Sequence, residues 1–239
     1  MPLDRVKALL RQHNYQLFTR PYELNIIGLR NRRRKANQFD DELHVFYHLP
    51  NGHVKYHRLV ATTDPGVFWL QNPMQGRGTA ILKQGQYVRA YKMGLHRGKT
   101  PALVQVRPVT VLIDSDRNGL LNFLSKDEQT GVFGINIHPA FGQEPRRTVD
   151  RNSAGCQVVA SDKDMELLLA LSERHKGLYG NEFTYTLLDF RQLRNETIKR
   201  VAIGAGLIGT AVAAYLRPEV FDQVAKEVEA ILGTRDNNA

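Results

Sequence analysis

The stretch ELHVFYHL (Glu42–Leu49), followed by Pro50, the pair Asn51-Gly52 and HVKYHRLVAT (His53–Thr62), reads as a β-hairpin. Asn-Gly supplies the positive φ angles of a tight two-residue turn, and β-branched and aromatic residues dominate both arms. With Asn51-Gly52 as the turn, Leu49 pairs with Val54, Tyr47 with Tyr56 and Val45 with Arg58. Period-2 alternation then places Val45, Tyr47, Leu49, Val54 and Tyr56 on one face, expected to be buried. His44, His48, Lys55 and His57 fall on the other, expected to be a solvated polar face.

Working outward, strands are expected within Tyr22–Leu29 and at Thr79–Leu82, Gln86–Tyr91, Ala102–Val106, Val109–Ile113, Gly131–Ile137, Gly155–Ala160 and Glu182–Leu188. Turn chemistry such as Asp64-Pro65-Gly66 and Asn118-Gly119 separates them. Asp162–Lys176 differs. Met165, Leu168, Leu169 and Leu171 recur at helical spacing, Asp162 and Asp164 favour the start, and Gly177 can end it. Leu3, Val6, Leu9 and Leu10 predict a short amphipathic helix before the β-rich body. The organisation is an N-terminal helix and lead-in (1–20), a mainly β body (21–190) and a helical C-terminal extension (191–239). The body is expected to be a sandwich or partly closed barrel with one packed helix.

In the extension, Val201–Leu216 is 16 residues without a charge. At 1.5 Å per residue it spans about 24 Å, short of the roughly 30 Å hydrocarbon layer. A packed Gly/Ala-rich helix and a membrane-contacting one both fit. Pro218–Leu232 follows as an amphipathic helix. Gly204, Gly206 and Gly209 match G-x-G-x-x-G, but no second strand or ribose-binding acid follows, so no cofactor is expected. The charges among the first residues break any signal-peptide core, so no standard secretion address is expected.

Thirty-three Lys+Arg against 24 Asp+Glu leave a net charge of +9 in 239 residues, which favours a polyanionic partner. Arg30, Arg32, Arg33, Arg34 and Lys35 form a basic loop, yet no RNA-binding aromatic motif or recognition helix accompanies it. Nucleic acid is therefore disfavoured as the main partner. His44 and His48 would lie about 13 Å apart on a strand, too far to share an ion, so no metal site is expected there.

The single cysteine, Cys156, excludes an intramolecular disulfide framework. It is either a small core residue or a nucleophile. Its surroundings favour the second. His138 closes the Gly134–Ile137 segment and Cys156 opens the next expected strand, so two adjacent strands can set imidazole against thiol. A neighbouring imidazole is what a thiol nucleophile needs, and Ala154 and Gly155 leave backbone N–H groups open to an oxyanion.

His138, a gap of 14 residues, then Ser153-Ala154-Gly155-Cys156 resembles the signature of the YkuD-type L,D-transpeptidases. The resemblance extends over about residues 40–190, including a looser match at Ala61–Gly66, and is specific within 134–158. It implies a YkuD-like β fold and a cysteine acyltransferase acting on peptidoglycan stem peptides at the cell wall. Cys156 would be the nucleophile and His138 the base, with its second nitrogen held by a backbone carbonyl. Ala154, Gly155, Ser153 and Pro139 would form or support the oxyanion site, and Gln157, Arg151 and Asn136 would bind substrate. The family often has a histidine where Ala154 stands, and an arginine soon after the cysteine where this chain has Gln157. Arg146, Arg147 or Arg151 could supply that charge. The rival expectation is a non-enzymatic protein on the same fold, binding wall polymer or nucleic acid through its basic surface.

Overall fold

The hairpin forms, one residue away from the expected register. The computed structural model describes residues 1–31, 33 and 35–190. They belong to the first of two units of the chain, Met1–Phe190, the second being Arg191–Ala239. The helices expected over Val201–Leu216 and Pro218–Leu232 lie outside the described residues.

Strands β1 (Asn25–Arg30), β2 (Asp41–His48) and β3 (Val54–Thr62) run antiparallel in sequence. His48 pairs with Val54, Tyr47 with Lys55 and Val45 with His57. The connection is a three-residue loop, Pro50-Asn51-Gly52, closed by Leu49 N–H donating to the His53 carbonyl at 2.8 Å. Gly52 sits at φ +82°, the left-handed residue that such a loop needs after its turn. The extra loop residue moves β3 by one, so Tyr56 shares a face with His44 and Phe46, and His57 stacks on Tyr47.

The expected solvated face is also corrected. His44 and Phe46 are fully buried. The helix α1 (Leu3–Gln12) covers them, with Lys7 Nζ 5.6 Å from the Phe46 ring centre and the Tyr56 hydroxyl 2.8 Å from the Met1 carbonyl. His44 lies between Tyr56 (2.6 Å) and Glu42 (2.8 Å), which satisfies both ring nitrogens. A histidine buried with two partners costs little.

After β3 come α2 (Val67–Gln71), β4 (Thr79–Leu82), β5 (Gly85–His96), β6 (Thr100–Gln105), β7 (Val109–Asp114) and β8 (Glu128–Gly131). Then follow β9 (Ile137–Pro139), β10 (Gln157–Val159), α3 (Asp162–Tyr179) and β11 (Phe183–Asp189). Eight strands close a barrel in the order β1-β11-β5-β6-β9-β10-β3-β2, while β4, β7 and β8 form a separate three-stranded sheet. The body is thus mainly β and a closed barrel rather than a sandwich. Closure comes from β1 lying parallel to β11, which leaves no free edge among these strands.

The inward side chains Ile26, Leu43, Val45, Leu59, Leu103, Ile137, Val159, Phe183, Tyr185 and Leu187 share one buried cluster with Met165 and Leu168 of α3. The helix runs past Gly177 to Tyr179, whose hydroxyl bonds the Pro21 carbonyl at 2.7 Å while Arg20 covers its ring. Among the described residues no helix is long and apolar enough to cross a membrane.

Arg30, expected in an exposed basic loop, is instead the cation of the barrel interior, 1% exposed. Its guanidinium meets Asp64 at 2.8 Å, donates to Thr63 Oγ1 and to the Thr63 and Leu82 carbonyls, and lies 3.8 Å from Asp189. Such a charge is tolerated only with its donors satisfied in this way. Arg33 and Lys35 are exposed.

One expected strand divides into two. Gly131–Ile137 is not continuous: β8 ends at Gly131, and residues 132–136 cross from the small sheet to the barrel. Two amides replace the missing ladder. Gln105 Oε1 accepts from Phe133 N (3.1 Å) and Ile135 N (2.9 Å), and Asn136 Oδ1 accepts from Gln105 N at 2.9 Å. Side-chain bonds of this kind let a buried backbone leave the sheet without unpaired donors. The same crossing forms the seat of the cysteine.

Candidate active site

Cys156 directly precedes β10, and β10 runs parallel to β9 with Gln157 opposite Ile137 and Val158 opposite His138. That register sets the sulfur beside the 134–136 crossing. Asn136 N–H points to Sγ at 3.5 Å, and the thiol donates to the Gly134 carbonyl at 3.5 Å. The residue is 9% exposed and packs with Ala140, Val158 and Phe39.

The turn before the sulfur is held from within. Ser153 Oγ accepts from Gly155 N at 3.1 Å and donates to the Cys156 carbonyl at 2.8 Å, and the Ser153 carbonyl accepts from Gly66 N at 2.9 Å. Gly155 lies at φ +123°, and a Cβ there would stand 2.5 Å from the Ala80 carbonyl oxygen. The glycine next to the cysteine is therefore a geometric requirement. Because the Gly155 N–H is spent on Ser153, it is no oxyanion donor, contrary to expectation. The amides of Ala154 and Cys156 make no such internal bond among the described residues.

His138 is fully buried, and its Nδ1 donates to the Pro139 carbonyl at 2.8 Å. That bond fixes the tautomer and leaves the lone pair on Nε2, a buried atom with no hydrogen-bond partner. His96, at the end of β5, stacks on His138 with ring centres 4.0 Å apart and planes 24° apart. Its Nδ1 lies 2.9 Å from Asn136 Nδ2. Since Asn136 Oδ1 is occupied by Gln105 N–H, the amide nitrogen is the donor, and His96 carries its own proton on Nε2. The two stacked rings are thus opposite tautomers. One ligand atom each from His96, His138 and Cys156 lies within 4.8 Å of the others.

Burial sets the charge state. The Cys156 thiol is pushed up to about 11, with Asn136 N–H and the Arg97 charge only partly opposing the loss of solvent. Burial pushes the His138 imidazole down to about 4, helped by His96 and Arg97 and opposed by the Pro139 bond. Burial and Arg97 also lower His96. At neutral pH the resting pair is thiol and neutral imidazole, not an ion pair.

Other expected site residues are redistributed. Gln157 is 2% exposed; its Nε2 donates to the Gly155 carbonyl, and its Oε1 accepts from Tyr185 OH at 2.7 Å. It is a strut of the barrel interior with no free group for substrate. Asn136 is likewise consumed, by Gln105 and His96. Arg146 is engaged with the Gly142 and Ala160 carbonyls, Glu144 and Asp162. Arg151 alone of these lies on an open cleft of about 590 Å³, lined also by Phe68, Arg97, Phe141 and Asn152.

Phe141 is 44% exposed and its ring stacks on His138 at 5.4 Å, so one side chain joins cleft to histidine. His96, Arg97 and Phe141 were not legible as site residues. The turn signal of Arg97-Gly98 marks a strand end at His96, but nothing local ties that end to His138.

Comparison of the chain with protein-family models, with curated proteins and with solved structures found no match.

Proposed function

We propose that the protein is a cysteine acyltransferase of the L,D-transpeptidase type, acting on peptidoglycan stem peptides at the cell wall. The observation that carries the reading is His138 on β9 and Cys156 at the entry to the parallel neighbour β10, with a base nitrogen left free of internal partners. The His138 to Ser-x-Gly-Cys spacing supports the same reading. In this reading the barrel is YkuD-like and residues 201–216 contact a membrane.

In the proposed reaction, Sγ attacks the carbonyl preceding the terminal D-residue while His138 Nε2 takes the thiol proton. The C–N bond then breaks, and the leaving amine departs with that proton. A thioester on Cys156 remains, and an acceptor amine or water attacks it and restores the thiol. Because burial disfavours a free thiolate, proton transfer has to accompany attack rather than precede it. The amides of Cys156 and Ala154 are the donors suited to the oxyanion. Arg97 and Arg151, both on the cleft, take the role of carboxylate contact for which Arg146 is unsuited.

Incubating muropeptides with wild type and Cys156→Ala, with products read by mass, tests this. Wild type should release the terminal D-residue and the variant should not. His138→Ala should lower the rate by about 10²–10⁴-fold. Products that do not differ between wild type and Cys156→Ala would remove the proposal. The slight exposure and raised pKa of Cys156 favour the second reading, in which the cysteine is structural and the fold serves binding. That reading predicts no acyl chemistry and retention on wall polymer or nucleic acid, reversed by salt.

A further inference from the structure

We infer that His96, His138 and Cys156 form a site for one divalent transition-metal ion of borderline softness, with zinc as the probe. The donor set is two imidazoles and one sulfur, and their nearest ligand atoms lie within 4.8 Å of each other. In a tetrahedral zinc site with Zn–N near 2.0–2.1 Å and Zn–S near 2.3 Å, ligand atoms stand about 3.3–3.6 Å apart. Side-chain rotation of about 1 Å closes the difference. The donors are nitrogen and sulfur with no carboxylate in the cluster, which selects zinc-like ions over calcium or magnesium.

A second observation is independent of that clustering. His138 Nε2 is buried without a hydrogen-bond partner, and its other nitrogen donates to the Pro139 carbonyl. A ligand histidine commonly has this outer bond, which orients the ring and keeps the lone pair on the metal side. His96 needs one adjustment, since Asn136 donates to its Nδ1: either that hydrogen bond or the position of its proton must change. One neutral hydrogen bond is minor beside a metal–nitrogen bond. Cys156 binds as thiolate, so Zn²⁺ and the thiol give a Zn–S bond and one proton released to water, with no change of oxidation state. The fourth position falls to water.

The site stands on these three side chains alone. Only its consequence, that metal and acyl donor compete for one sulfur, rests on the proposed reaction. The test uses the reduced full chain without muropeptide, so an inactive protein cannot obscure the result. Zn²⁺ is titrated against a chromophoric chelator, and Co²⁺ is added separately to read a thiolate-to-cobalt charge-transfer band. Cys156 is the sole cysteine, so that band has one possible source.

The expected result is one ion per chain, a cobalt band absent from Cys156→Ser, and alkylation of Cys156 slowed at least tenfold by Zn²⁺. His96→Gln and His138→Gln should each weaken binding by more than about 100-fold, exceeding the loss typical of an outer-shell partner. His57→Gln, on the hairpin, should change nothing. No stoichiometric binding, no cobalt band in wild type, or binding that survives Cys156→Ser would overturn the inference. The wild-type band and zinc protection need no variant, so a variant that fails to fold leaves the test intact. Acyl transfer measured with chelator present decides the reaction separately.

Discussion

Cys156 and His138 perturb each other less than the protein perturbs both. Desolvation raises the thiol to about 11 and lowers the imidazole to about 4, and each shift is a statement about stability. The unfolded histidine takes a proton near pH 6.5 while the folded one refuses it down to about 4. Stability from this residue is therefore complete above pH 6.5 and falls by about 3 kcal/mol as pH drops to about 4. In denaturant melts, His138→Gln should lose less stability than wild type across that interval. For the thiol the sign reverses: the unfolded group ionises near pH 8.5–9 and the folded one only near 11, so stability falls by about 3 kcal/mol as pH rises between them. Cys156→Ser should remove that fall, and alkylation of the wild-type thiol should be slow at neutral pH and rise steeply toward pH 11. Gly155 provides a third check at this scale. Gly155→Ala combines φ +123° with a clash on the Ala80 carbonyl, and should destabilise by about 2–4 kcal/mol in the same melts.

At the scale of elements, the local patterns place β4, β7 and β11 to within a residue and α3 at its start, while the helix runs on past Gly177 to Tyr179. They located the hairpin but not its register. Asn51-Gly52 signals a turn equally for a two-residue loop and for a three-residue loop with Gly52 in the left-handed position, and a single residue separates the two faces. Gly52→Val should cost about 1 kcal/mol or more in a melt, since a β-branched residue is strained at the φ of +82° that Gly52 holds in this loop. Gly131–Ile137 is expected as one strand, yet only its two end residues lie in strands. What ends the strand is Gln105, far away in sequence, whose amide takes the backbone bonds of Phe133 and Ile135. The site was legible to the same degree. A histidine, a spacer and Ser-x-Gly-Cys are local text, whereas His96 is brought onto His138 by pairing of β6 with both β5 and β9. Burial of Gln157 and Arg146 is illegible for a related reason, since Tyr185 holds the first and the Ala160 carbonyl and Asp162 help hold the second, all from other segments.

On the scale of the whole barrel, one parallel pair closes the sheet and one buried cation binds the closure. Arg30 stands at the end of β1, Asp189 at the end of β11 and Asp64 just beyond β3, so a single guanidinium ties the first strand to the last. Arg30→Met leaves buried carboxylates without their counter-charge and should cost about 3–5 kcal/mol, lowering the melting temperature and the cooperativity of unfolding together. The closed wall also positions the proposed catalytic pair: β9 and β10 are adjacent staves, and the cysteine lies beside the crossing that leads into β9. Acylation of this sulfur is tested most directly by intact-protein mass after brief exposure to a tetrapeptide stem. A single adduct equal to the donor less its terminal D-residue is expected, carried on Cys156 in wild type and lost on treatment with hydroxylamine. A protein whose mass is unchanged by the stem peptide, or whose adduct persists in Cys156→Ala, would contradict it.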